Sequence, residues 1–66
     1  MFITATTNKG TILINLDNVT MVCPYKEKHD DYERATFCFI DSEDYCTVED
    51  TFEEIVDRIT SARKRG

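Results

Sequence analysis

The side chains with the richest chemistry in this 66-residue chain fall in a few short stretches. His29-Asp30-Asp31 sets an imidazole beside two carboxylates, the groups of a general base or a metal ligand. Either use needs a third group converging from another element, and none stands at a ligand spacing, so a solvated loop is expected. Cys23 and His29 are the types of a nucleophile and its base. Yet Gly10 and Gly66 are the only glycines, and no glycine-rich oxyanion loop accompanies the pair. Asp41-Ser42-Glu43-Asp44 gathers three carboxylates in a turn but lacks the D-x-D-x-D-G pattern and distant Glu of a calcium loop. Cys23, Cys38 and Cys46 are odd in number, 15 and 8 residues apart, with no C-x-x-C pair, and do not make a zinc set. Three buried, reduced thiols packed as small hydrophobes are expected, in a reducing cytoplasm. The Asn18-Val19-Thr20 sequon is then incidental. No catalytic residue, metal ligand or cofactor is expected, and a pocket of ~300 Å³ would be large for so short a chain. The chain does not read as an enzyme.

Charge is more informative than any single group. Thirteen acids against eight bases give a formal charge of −5, and it is unevenly spread. Residues 26–54 hold eleven of the acids and three bases, Lys26, Lys28 and Arg34, whereas Arg63-Lys64-Arg65 is basic. Such a balance argues against a general nucleic-acid binder, which needs a basic face to displace counterions from phosphate. The longest apolar run, Phe37-Cys38-Phe39-Ile40, is far short of the ~20 residues that span a bilayer. Met1-Phe2-Ile3 leads into threonines without the basic and apolar regions of a signal peptide. An apolar fraction of 41% is too high for a disordered chain. Residues 1–66 read as a single domain, with a core that is marginal at this size.

The elements that must position these groups follow from pattern. Phe2 to Thr7 and Thr11 to Leu16 read as a hairpin around Asn8-Lys9-Gly10, with Gly10 free to take positive φ. A Lys9-Gly10 loop would set Ile3 opposite Leu16 and Ala5 opposite Ile14, and is preferred to a three-residue loop with Phe2 opposite Leu16 because it pairs more apolar side chains on one face. Asp17-Asn18 marks the next turn. Val19 to Cys23 is a third strand, which Pro24 is expected to end. Residues 26–34 form an exposed loop or flared hairpin tip. Ala35 to Ile40 and Tyr45 to Val48 form a second hairpin over the acidic turn, with Phe39 opposite Cys46 and Phe37 opposite Val48. Asp50 as N-cap and Glu53 three residues on make an acidic capping box for a helix over about 51–64, with Gly66 placed to cap its end. Phe52, Ile55, Val56, Ile59 and Ala62 give that helix one apolar stripe. Its acids sit early and its bases late, and Glu54 can pair with Arg58. The fold class is α+β: a small, strongly bent, barrel-like antiparallel sheet of five strands with one carboxyl-terminal helix. Phe37, Phe39, Cys46 and Val48 should meet Ile55, Val56 and Ile59.

One helix covers one sheet face, yet Ile12-Leu13-Ile14, Met21-Val22-Cys23 and Phe37 to Ile40 are apolar on both. A half-solvated antiparallel sheet alternates instead. The second face is therefore expected to be buried by curling or by another copy of the chain. The leading functional reading is a non-enzymatic cytoplasmic protein-binding module, self-associating, with Leu13, Val22, Ile40 and Tyr45 as its contact face alongside the 26–34 loop. The runner-up is an acidic, phage-like inhibitor of a host enzyme. It would work as a nucleic-acid mimic or anti-defence protein through Asp30, Asp31, Glu33, Asp41, Glu43 and Asp44. A third reading puts a small anionic ligand or nucleotide between protomers, neutralised by Arg34 or Arg58.

Asn15-Leu16-Asp17-Asn18-Val19 fits an Asn-x-Asp-x-Ile/Val step, and Val48-Glu49-Asp50-Thr51 resembles a Val-x-Glu-Ser/Thr helix entry, offset by one residue. On these motifs the chain resembles small bacterial proteins of the FlbD type, which serve flagellar and swarming motility. The resemblance implies a short amino-terminal hairpin, a second hairpin and a carboxyl-terminal helix. This chain differs in a longer, more charged segment from Pro24 to Arg34 and in an acidic turn where the family has Asn/Asp-Gly. A weaker likeness joins it to the strands of LytTR-type DNA-binding domains, without their basic recognition loops.

Overall fold

The computed structural model describes residues 1–65; the expected Gly66 cap lies outside the described residues. The chain runs β1 (Phe2–Thr7), β2 (Gly10–Asn15), a 3₁₀ turn at Leu16–Asn18, β3 (Val19–Tyr25), β4 (Arg34–Phe39), β5 (Tyr45–Thr51) and α1 (Phe52–Arg65). The α+β class holds, with all strand pairs antiparallel. The barrel does not: the strands form two sheets, β1-β2 and β3-β4-β5, that are not closed on each other. β1 runs beside β5 without pairing to it, and there the Thr6 N–H goes to the side chain of Asp50 at 2.6 Å instead of to a backbone ladder.

Both hairpin registers differ from expectation by two residues. Ile3 lies opposite Ile14 and Ala5 opposite Ile12, because the loop is Asn8-Lys9 and Gly10 opens β2 with φ of +117°. Phe37 lies opposite Cys46 and Cys38 opposite Tyr45, because the turn after β4 is longer than Ser42-Glu43. Asp41 takes φ of 55° there, a left-handed conformation that Asp tolerates, and Ser42 Oγ accepts the Asp44 N–H at 3.0 Å. A two-residue slip leaves each side chain on its original face, so the inward sets survive. Toward its end β5 carries two extra residues against β4, since Thr36 pairs with Thr47 but Arg34 with Thr51. That bulge lengthens β5 to Thr51. Pro24 does not end β3, which continues through Pro24 and Tyr25. β3 is an edge strand, where a missing N–H can face outward.

The core lies between the two sheets and α1. Ile3, Ala5 and Ile14 meet Ala35, Phe37, Val48 and Ile55, with Phe52, Ile59, Ala62, Phe39 and Cys46 packed around them. Val56 departs from the expected stripe and is exposed, because Phe52, Ile55, Ile59 and Ala62 already define the buried side of the helix. The N-cap is Thr51 and not Asp50. Thr51 Oγ1 accepts the Glu54 N–H at 3.1 Å and donates to Glu54 Oε1 at 3.1 Å. Asp50 is instead drawn inward. Its carboxylate takes the Thr6 N–H and Arg58 Nη1 at 2.7 Å, and Arg58 also donates to the Thr4 carbonyl at 3.0 Å. One buried acid thus fastens β1, β5 and α1 together. Burial alone would raise its pKa, but the Thr6 N–H and Arg58 outweigh that and hold it below the ordinary carboxylate value.

Candidate functional site

Phe37 points to the core, so its neighbours Thr36 and Cys38 face outward, and the register carries that face across three strands. Met21, Cys38 and Tyr45 form one cross-strand row. Cys23, Thr36 and Thr47 form the next, and Tyr25 beside Arg34 the third. α1 packs on the opposite side. The uncovered face holds a groove of about 670 Å³, floored by Thr36, Cys38 and Thr47. Tyr25 and Glu27 stand at one end, and Ser42 to Tyr45 at the other. The small size of the chain limits its interior, but the outside of a twisted sheet still offers this much room.

The floor is internally satisfied. Thr36 Oγ1 and Thr47 Oγ1 share a hydrogen bond of 2.9 Å. Arg34 enters at the Tyr25 end, with Nη2 on Asp30 Oδ1 at 3.1 Å and Nη1 on Glu49 Oε2 at 3.4 Å. The guanidinium lies 5.8 Å from the centre of the Tyr32 ring, and its Nε is buried without a partner. Burial works to lower the Arg34 pKa, yet Asp30 and Glu49 prevail and raise it. The Tyr25 hydroxyl donates to Glu27 Oε1 at 2.9 Å, and that bond raises the pKa of the phenol.

The 26–34 segment is the exposed loop expected and not a flared tip: all but Asp30 and Arg34 are exposed. Asp30 is mostly buried because it both receives the Glu27 N–H at 3.1 Å and holds Arg34. The Tyr32 hydroxyl donates to the Glu49 carbonyl at 3.1 Å, and the Phe52 N–H to the Glu33 carbonyl at 2.9 Å. The loop is thereby folded against β5 and the start of α1.

The four residues expected as one apolar face are dispersed. Val22 faces inward, level with Phe37 and packed on the core. Leu13 is 70% exposed, but it lies on the outside of the other sheet, opposite Thr4. Ile40 is exposed at the turn after β4, and Tyr45, 71% exposed, lines the groove. Among the acids, Asp31, Glu33, Asp41, Glu43 and Asp44 are exposed while Asp30 is tied to Arg34. Arg58 is held by Asp50 and by Glu54 at 3.6 Å. All three thiols are free and half-buried, where full burial was expected. Cys46 packs on the core, but Cys23 and Cys38 fall on the outer face by strand alternation. His29 is exposed in its loop. Among the described residues, no three His, Cys, Asp or Glu side chains are grouped to hold a metal ion, and no helix is long and apolar enough to cross a membrane.

Thr36, Thr47, Tyr25 and Glu49 were missed as site residues. The every-other-residue polarity of Arg34-Thr36-Cys38 and Tyr45-Thr47-Glu49 marks three of them, whereas Tyr25 lies beyond the strand end expected before Pro24. Compared with models of known families, with curated proteins and with solved structures, the chain matches none.

Proposed function

We propose that this chain is a non-enzymatic protein-binding module, self-associating, that acts by occupying a partner with the outer face of β3–β4–β5. The observation that carries this reading is a sheet face left bare by α1, with Met21 57% and Tyr45 71% exposed around a groove whose floor is already hydrogen-bonded. Tyr and Met are enriched at protein interfaces, and Tyr supplies large contact area at low entropic cost. Chemistry has less support: the Cys23 thiol lies on β3 while His29 sits exposed in the loop beyond it. The motif likeness to FlbD-type proteins offers bacterial motility as one setting for such a module.

The test is sedimentation velocity across a concentration series for Tyr45→Asp, Met21→Asp and, on the other sheet, Leu13→Asp. Loss of association in the first two with retention in the third supports the reading. Association that survives Tyr45→Asp and Met21→Asp but fails with Leu13→Asp overturns it. The acidic-inhibitor reading is favoured by the exposure of Asp31, Glu33, Asp41, Glu43 and Asp44. It requires tight, salt-sensitive capture of a nucleic-acid enzyme that is lost when Asp41, Glu43 and Asp44 are neutralised.

A further inference from the structure

Electrostatics around the groove select its occupant. Glu27, Glu43, Asp44 and Glu49 line it against a single cation, Arg34. That cation is already matched by Asp30 and Glu49 within 3.4 Å, so it has little field left for an anion. A basic segment fits the groove and an acidic one does not. On this chain such a segment stands at the far end of α1, where Arg63 and Lys64 are exposed. α1 packs against the inner side of the sheets, and none of its residues lines the groove. Tyr25 and Tyr45 add ring faces on which guanidinium and ammonium groups rest favourably.

We infer that the groove receives the basic last turn of α1 from a second copy, Arg63 and Lys64 entering between Tyr25 and Tyr45 toward the Glu27, Glu43 and Asp44 carboxylates, while Glu49 stays on Arg34. This rests on the protein-binding reading above and deepens it, because each copy supplies a residue set that completes the other's site. The contact pairs two different surfaces. Filled reciprocally it closes a dimer; filled in one direction it builds a ring or an open array.

Two charge-reversed full-length variants test it: R63E/K64E, which makes the inserted turn acidic, and E43K/D44K, which makes the groove mouth basic. Circular dichroism first establishes that each keeps the wild-type fold. Each variant alone is expected to lose self-association by at least roughly tenfold in dissociation constant at low salt, where exposed charges are least screened. Mixing the two is expected to restore it, since the acidic turn of one then faces the basic groove of the other. Restoration in the mixture supports the inference whether the product is a closed dimer or a larger array. Should each variant associate as the wild type does, while Tyr45→Asp abolishes association, the face is the interface and the basic turn is not its occupant. A wild type that stays monomeric at millimolar concentration overturns the inference, and binding by the bare face is then tested against heterologous partners alone. Loss in both variants without rescue on mixing also overturns it.

Discussion

Replacing Asp50 probes the joint on which the fold depends. Its carboxylate accepts the Thr6 N–H at 2.6 Å and Arg58 at 2.7 Å, and its side chain is only 5% exposed. Hydrogen bonds to a buried charge contribute about 1.5–3 kcal/mol each. Arg58 is 36% exposed, so solvent screens its share toward the ~1 kcal/mol of a surface pair. Asp50→Ala should therefore cost about 2.5–4 kcal/mol, and Asp50→Asn, which keeps an oxygen for Thr6, about 1–2 kcal/mol. A chain of this length has roughly 3–10 kcal/mol of stability in all, so the Ala variant is near the edge of folding. The assay is urea unfolding followed by circular dichroism at neutral pH, repeated down an acid series. Because the folded-state pKa of Asp50 is lowered, its contribution is fully present above the unfolded value of about 3.9. It is lost as pH falls through the lower folded value, since the unfolded chain takes up the proton first. Asp50→Asn should flatten that part of the acid slope. An Ala variant within about 0.5 kcal/mol of wild type at pH 7, or an Asn variant with the wild-type acid slope, would refute the reasoning.

Two further substitutions separate local devices from packing. Thr51→Ala removes the acceptor of the Glu54 N–H and should lower stability by about 1 kcal/mol, read as a fall of roughly 4–8 °C in melting temperature. Gly10→Ala meets no atom within 4 Å of the added methyl, so any loss, of about 1–3 kcal/mol, reports the backbone at φ of +117° alone. A calorimetric scan that finds Gly10→Ala neutral would show the turn relaxing to a conformation open to alanine.

Elements governed by short-range pattern were legible in the sequence, and features set by long-range geometry were not. The apolar spacing of Phe52, Ile55, Ile59 and Ala62 announces α1, and the turn chemistry at Asn8-Lys9-Gly10 and Asp17-Asn18 announces the first two reversals. Register was missed because turn length fixes it, and a slip of two residues leaves the apolar pattern unchanged. The β5 bulge left no mark that alternation could carry, and with it went the position of Asp50. Read locally, Asp50 is a natural cap; only a β1 backbone amide 44 residues away makes it a buried acceptor. The outer face of β3–β4–β5 was half visible. Its polar alternation could be read, but assigning Val22 to it failed because the core side of β3 is set by pairing with Phe37.

Pro24 lies on the open edge of β3, where a neighbouring chain would otherwise find an unbroken row of backbone donors. A fibril grows by adding strand to strand along such an edge, and a proline there leaves a rung with nothing to donate. The same sheet exposes Met21, Tyr25 and Tyr45, side chains that favour contact with other chains. The interruption at Pro24 disfavours strand addition along the β3 edge.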